Sequence, residues 1–228
     1  MHSLTIENYV KTIYKISIRT EGATATTGQL ATELGVSPGT VTSMLKTLSG
    51  SRLVTYTRYE GVRLTDAGRT LALCVLRRHR LIELFLVKTL NLSWDEVHDE
   101  AEHMEHAVSE LLVDRIDEYM NYPETDPHGD PIPRADGTIP AGHCNSLAAC
   151  DVGNSFRFVR VLDQSSKFLR FLSELGIPLG TEGDILEKRN EADTVRIRVG
   201  EVETVLGRDA AEKILVTVPA DVQPTLFC

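Results

Sequence analysis

The sequence predicts a mainly α chain with small β parts: a winged helix-turn-helix, a helical dimerisation domain and a small C-terminal β-barrel. Three observations lead there. Two short helical segments meeting at Gly35 are followed by a Thr-, Tyr- and Val-rich hairpin. Two long amphipathic segments come next, and after about Asn154 helical periodicity gives way to short alternating runs. The bounds predicted are 1–74 for the winged domain, 75–141 for the helical domain, 142–154 for a linker and 155–228 for the barrel.

Thr27 to Leu34 reads as the first short helix, Gly35 suits a tight turn, and Ser37-Pro38 supplies an N-cap followed by proline at the first helical position. In the second helix Val41, Met44, Leu45 and Leu48 recur at helical spacing and bury one face. Leu53 to Arg58 and Val62 to Thr65 form a hairpin around Tyr59-Glu60-Gly61, which makes the motif winged. Asp66 to about Asn91 is a long helix with Leu71, Val75, Leu81, Ile82, Phe85 and Leu86 as its apolar surface. Ser93-Trp94-Asp95-Glu96 reads as a capping box opening a second long helix to about Tyr119, striped by Val97, Ala101, Met104, Val108, Leu111 and Leu112. Two such helices predict a dimer bundle. The Pro-, Gly- and Asp-rich run from Pro123 to Ala141 cannot continue a helix and is expected to cross the surface as a loop. Ala141 to Gly153 has the small-residue composition of a linker. The barrel strands are predicted at Phe156–Leu162, Gly183–Lys188, Thr194–Val199, Glu201–Leu206 and Lys213–Val218, with one helix from Ser165 to Leu175 closed by Gly176.

Composition narrows the function. With 228 residues, 42% of them hydrophobic and 25% charged, disorder and collagen-like repeats are excluded. No apolar stretch approaches the roughly 20 residues of a membrane span and the first residues lack an export pattern, so a cytoplasmic protein without a membrane partner is expected. Cys74, Cys144, Cys150 and Cys228 show no C-x-x-C pair and read as free thiols. The net charge of -9 is unevenly divided: residues 1–80 carry +6 and residues 81–228 carry -15. The basic part points to a polyanion. Together with the small polar face of the second helix it predicts double-stranded DNA as a partner. Ser37, Pro38, Gly39, Thr40 and Ser43 would face the major groove, and Thr42, Lys46, Arg58 and Arg63 the phosphates.

The histidines carry the second signal. On a helix, His98, Glu102, Glu105 and His106 fall within an arc of about 100°, and His79 and Glu83 form another i, i+4 pair one helix earlier. His103 points elsewhere. Imidazole and carboxylate without sulfur describe a site for manganese, ferrous iron, cobalt or zinc. A di-metal enzyme would need a second E-x-x-H helix beside Glu100-x-x-His103, and the chain has none, so it is read as a non-enzyme. A winged-helix regulator sensing a small organic effector would leave the histidine clusters without a role.

Thr40-Val41, Leu64-Thr65-x-x-Gly68-Arg69, Arg77-Arg78-His79-Arg80-Leu81-x-Glu83, Val97-His98-Asp99-Glu100-Ala101-Glu102-x-x-Glu105-His106 and Gly129-Asp130-Pro131-Ile132-Pro133 together resemble the diphtheria toxin repressor family of metal-dependent repressors. The resemblance covers residues 4 to about 140, and Leu175-Gly176-Ile177-x-x-Gly180 is similar to the SH3-like domain that many members carry at the C-terminus. It implies a homodimeric repressor that binds palindromic operators when metal-loaded and controls metal-homeostasis genes. It also implies one metal site made by Asn8, Glu102, Glu105 and His106 and a second by His79, Glu83 and His98. For completion of the second from the SH3-like domain, Asp163 and Gln164 are the nearest candidates and Arg160 an alternative. The iron-sensing branch has methionine at the place of Asn8 and cysteine at that of Glu102, whereas the manganese-sensing branch has aspartate and glutamate, so oxygen at both predicts Mn2+, with Fe2+ as the alternative and Zn2+ or Co2+ as ions that bind in vitro. Lys11 replaces a glutamate that helps the manganese branch hold a second ion. The expected mechanism is that the metal-free acidic cluster repels itself, leaving the winged domains loosely held, and that metal selects the DNA-competent arrangement.

Overall fold

The computed structural model describes residues 3–20, 22–140 and 142–218. Cys228 and Ala141, which the sequence reading includes among the thiols and at the linker boundary, lie outside the described residues; Cys74, Cys144 and Cys150 are free thiols.

The N-terminal part is built on α1 (Leu4–Arg19), capped by the Ser3 hydroxyl accepting from the Ile6 amide. Helices α2 (Thr27–Leu34) and α3 (Pro38–Gly50) follow as expected. Thr26 and Gln29 close a reciprocal capping box on α2, and Gly35 ends it at φ 64°, a conformation that glycine adopts without strain. Ser37 caps α3 by accepting from the Thr40 amide. The wing is the antiparallel pair β1 (Val54–Thr57) and β2 (Gly61–Leu64), with Val54 opposite Leu64. Val10, Ile13, Ile16, Leu30, Val41, Leu45, Leu48 and Val62 fill one apolar core under these elements.

Helix α4 (Asp66–Leu90) leaves that core and carries the chain into the helical region. Gly68 lets it start against the wing, because a Cβ there would collide with the Leu53 carbonyl. The second long helix is interrupted. α5 (Val97–Met104) and α6 (Glu110–Tyr119) are separated at residues 105–109, where Ser109 acts as a fresh N-cap by accepting from the Leu112 amide. Ser93-Trp94-Asp95-Glu96 makes a turn before α5, whose own N-cap Glu96 has no side-chain cap. The break also splits the expected apolar stripe: Val97 and Ala101 are buried, whereas Leu111 and Leu112 are exposed.

The C-terminal part is a six-stranded antiparallel sheet, ordered β3 (Asn145–Ser146), β8 (Ile214–Thr217), β4 (Ser155–Val161), β5 (Glu182–Arg189), β6 (Thr194–Val199), β7 (Val202–Gly207). α7 (Ser166–Glu174) is capped by Ser165, and a short α8 (Arg208–Lys213) leads into β8. The segment expected to be a linker is only partly one, since β3 pairs with β8 and Leu147 is fully buried among Phe158, Ile197 and Val216.

The loop after α6 also differs from expectation. Asp126, His128 and Ile132 are buried, so it is a wedge between helices and sheet rather than a surface crossing. Asp126 folds it locally by accepting from the amides of His128 and Asp130. The Val161 amide of β4 donates to the His128 carbonyl, and Gly129, at φ 83°, lies so close to the Val159 carbonyl that no Cβ would fit.

Candidate metal centre and nucleic-acid face

Helix α4 presents His79 and Glu83 one turn apart toward α5, and both are buried. Glu83 Oε1 lies 3.0 Å from His79 Nε2 and 3.1 Å from His98 Nδ1. The other nitrogen of His79 meets Glu105 Oε2 at 2.7 Å. Glu105 is wholly buried: at the end of α5 it keeps a helical backbone, donates its amide to the Ala101 carbonyl and continues the face that buries Ala101. Its Oε1 is 3.1 Å from His106 Nε2, which is also 2.9 Å from Asn8 Oδ1. Asn8 comes from α1, so side chains of α1, α4 and the α5–α6 break converge.

Among the described residues, three groups of metal-capable residues have ligand atoms within 4.8 Å of one another: His79, Glu83 and His98; His79, Glu102 and Glu105; and Glu83, Asp126 and His128. His79 belongs to the first two and Glu83 to the first and third, so they form one continuous run. The third group was invisible in the sequence, because Asp126 and His128 lie in an aperiodic loop. His128 is fully buried, and its Nε2 is 2.8 Å from the Trp94 carbonyl. Its Nδ1 has no hydrogen-bond partner and lies 3.8 Å from Glu83 Oε2 and 4.0 Å from Asp126 Oδ1. A buried nitrogen without a partner, aimed at two carboxylates, fits a cation bound among them.

The electrostatics are those of a crowded buried site. Burial pushes the Glu83 carboxyl up, but the His79 charge and the imidazoles of His128, His79 and His98 around it together outweigh burial and hold Glu83 well below the usual carboxylate range. Burial pushes His79 down and the charge of Glu83, with hydrogen bonds to Glu105 and Glu83, raises it overall. For His128 burial is again overcome, by Glu83 and Asp126, and its pKa rises to about 9. Asp126 is pushed up to about 7 by burial and by the neighbouring carboxylates of Asp130 and Glu83.

The expected self-repulsion of the acidic residues does not appear, because the cluster carries its own cations. Lys11 of α1 places Nζ 2.6 Å from both Glu102 and Glu105. Arg78 binds Glu7, Glu110 and the Glu105 carbonyl, while Glu7 meets His106 Nδ1 at 2.8 Å. Sequence spacing finds neither contact, since about 90 residues or more separate α1 from its partners on the α5–α6 side.

Asp163 and Gln164 do not join the cluster. Asp163 accepts from the Ser165 amide and pairs with Lys213, and Gln164 donates to Asp130. Arg160 also reaches Asp130, which in turn binds Arg80 of α4. These side chains fasten the sheet to the helices, because Asp130 offers a half-buried carboxylate that two guanidinium groups share.

At the other end of the winged part, Ser37, Pro38, Gly39, Thr40, Ser43 and Lys46 are exposed on α3, with Thr42 half-buried and its hydroxyl donating to the Pro38 carbonyl. Arg58 and Arg63 are exposed on the wing. A groove of 560 Å³ between α3 and the wing is lined by Thr42, Lys46 and Arg58 and also by Thr26, Thr27 and Tyr59, which the sequence reading left out. Arg58 stacks over the Tyr59 ring at 4.8 Å.

Comparison with known proteins finds matches along most of the chain. Residues 1–62 match the family described as iron dependent repressor, N-terminal DNA binding domain; residues 65–134 match iron dependent repressor, metal binding and dimerisation domain; and residues 145–218 match the FeoA domain. The chain is 38% identical over 129 residues to the iron-dependent repressor of Mycobacterium tuberculosis, a match covering 57% of this chain and 55% of that protein. It thus spans about half the length of the curated relatives that it matches first. To the diphtheria toxin repressor of Corynebacterium diphtheriae it is 31% identical over 210 residues, covering 90% of this chain and 85% of that protein. A solved manganese-dependent transcriptional repressor in complex with manganese superposes with a TM-score of 0.83 at 37% identity, covering 93% of this chain and 99% of the other.

Proposed function

The chain belongs to the iron-dependent repressor family, and on that premise we propose that it is a divalent-metal-dependent transcriptional repressor. As a metal-loaded homodimer it binds palindromic operator DNA, in the cytoplasm, and controls metal-homeostasis genes. The observation that carries this reading is the unbroken run of carboxylates and imidazoles linking α1, which belongs to the DNA-facing part, to α4 and the α5–α6 break.

Asn8, Glu102, Glu105 and His106 hold one ion in this reading, and His79, Glu83 and His98 a second, with Asp126 and His128 on the far side of Glu83. When bound, a divalent ion supplies two positive charges and directional bonds to oxygen and imidazole. Asn8 and His106 already stand within hydrogen-bond distance, so α1 is oriented against the α5–α6 break before loading. Helix α1 packs on α4 and α2, and α2 on α3, so the angle of α1 is the angle of the recognition helix. Two recognition helices must sit about 34–36 Å apart, or a multiple of that, on B-DNA, which makes a modest rotation costly.

Dimer formation is supported by an apolar groove of 330 Å³ between α4 and α6, lined by Ile82, Phe85, Met104, Val108, Leu112 and Tyr119. Among the described residues, no helix is long and apolar enough to cross a membrane. Manganese is the preferred ion, because the donors are oxygen and imidazole without sulfur. Ferrous iron is the alternative, supported by the likeness to an iron-dependent repressor. Zinc and cobalt suit the same donors in vitro, though the zinc preference for four ligands would leave Asn8 unused.

The test is operator binding by the full chain, titrated separately with manganese, ferrous iron, zinc and cobalt. Strongest activation by manganese is expected. Operator binding that is indifferent to all four ions would overturn the reading.

A further inference from the structure

Lys11 lies on α1 one turn after Asn8, and its side chain is 5% exposed. Its Nζ donates at 2.6 Å to Oε1 of Glu102 and at 2.6 Å to Oε1 of Glu105. Glu105 Oε2 is engaged by His79. Both oxygens of the most deeply buried acid in the centre are therefore held by groups of the chain itself. An ammonium and a divalent ion sharing one carboxylate oxygen would stand only about 4 Å apart with like charge, in surroundings where water screens little.

Resting on the reading of this centre as a metal site, we propose that Lys11 is a tethered competitor for the ion. Its ammonium holds the Glu102 and Glu105 oxygens, and a divalent ion gains them only by displacing it. Lys11 thereby sets the affinity of the centre, and with it the metal level at which the chain responds. The flexible four-carbon stem gives the ammonium somewhere to go. Glu102 is one-third exposed and marks the solvent side of the cluster. Because Lys11 and Asn8 share α1, loading exchanges one tie between α1 and the α5–α6 break for another. The metal-free chain keeps its DNA-facing part attached through Lys11.

The experiment measures manganese affinity of the full chain by competition with a chelating dye for wild type, Lys11→Met and Lys11→Arg. Lys11→Met is expected to bind about tenfold tighter or more, since it keeps the stem and removes the charge. Lys11→Arg, which keeps the charge, should stay within about threefold of wild type. Equal affinity in wild type and Lys11→Met, or weaker binding in the latter, overturns the proposal. A second measurement uses only wild type: amine-directed labelling at Lys11, read by peptide mass spectrometry against the exposed Lys167. Saturating manganese should raise labelling at Lys11, and unchanged or reduced labelling also overturns the proposal. If wild type and Lys11→Met both bind no manganese, the metal reading falls and this proposal with it. Binding by wild type that Lys11→Met leaves unmoved removes the role of Lys11 alone.

Discussion

The α3-and-wing surface and the interface between α1, α4 and the α5–α6 break both carry cations, and they keep them in opposite states. Lys46, Arg58 and Arg63 stand exposed, and Arg58 rests over an aromatic ring rather than beside a carboxylate. Lys11, Arg77, Arg78 and Arg80 are buried and committed, with Arg77 on Asp114 and Asp117, Arg78 on Glu7 and Glu110, and Arg80 on Asp130. Four of the cations behind the +6 of residues 1–80 thus neutralise acids inside the fold. Net charge along a chain measures what is available to a polyanion only after the buried pairs are taken out. Exposed cations act through a screened, salt-dependent attraction, whereas buried ones act on the fold.

The largest effect should come from setting the same substitution in both regions. Arg78→Ala leaves Glu7 without its guanidinium in a buried setting and should cost about 3–5 kcal/mol of stability. Arg58→Ala should cost less than about 0.5 kcal/mol. Chemical denaturation in chelator measures both, and similar losses would erase the distinction drawn between the two surfaces. Next, Glu105→Gln should weaken metal binding about a hundredfold or more and abolish the metal response of operator binding. A gel shift with an unchanged metal titration would remove Glu105 from the site.

A smaller effect concerns pH. His128 holds its proton to about 9 in the folded chain, against an ordinary value of 6.5. Its contribution to stability is therefore fully present below pH 6.5 and is lost as pH rises toward 9. Asp126, raised from 3.8 to about 7, acts in the same direction, with its share lost by about pH 7. In chelator the melting temperature should fall between pH 6.5 and 9, and His128→Asn should flatten that fall; a melting temperature that rises across the window would contradict the burial of this pair. The smallest effect is on DNA. Arg58→Ala should weaken operator and non-specific DNA alike, by about tenfold, and reduce the salt slope by about one. A loss confined to one base pair would make Arg58 a reader of sequence rather than a phosphate contact.

Local signals account for what was legible beforehand. Ser37-Pro38 and Gly35 bound α3, the His79/Glu83 and His98/Glu102 pairs lie at i, i+4, and the strands after Asn154 alternate. Each is decided within a few residues by capping, helical pitch or pleat. The helix break before Ser109 was hidden because periodicity continues across it, and the wedge at Asp126 and His128 because a Pro- and Gly-rich run has no period to read. Asp163 and Gln164 were misplaced for the same reason: suitable oxygens next to a helix cap say nothing of which neighbour they meet.

By itself, then, the sequence determined the helix-turn-helix with its wing, the imidazole and carboxylate chemistry, and the exposed polar face of α3, since these follow from side-chain type and short-range geometry. Tertiary structure alone decided that α1 brings Lys11 to the acids of the α5–α6 break and Glu7 to His106, and that His128 lies against Glu83 from the loop beyond α6. It also decided which arginines are spent inside the fold. The physical reason is that a buried charge must find its partner wherever packing delivers one, and packing joins residues that no spacing along the chain connects.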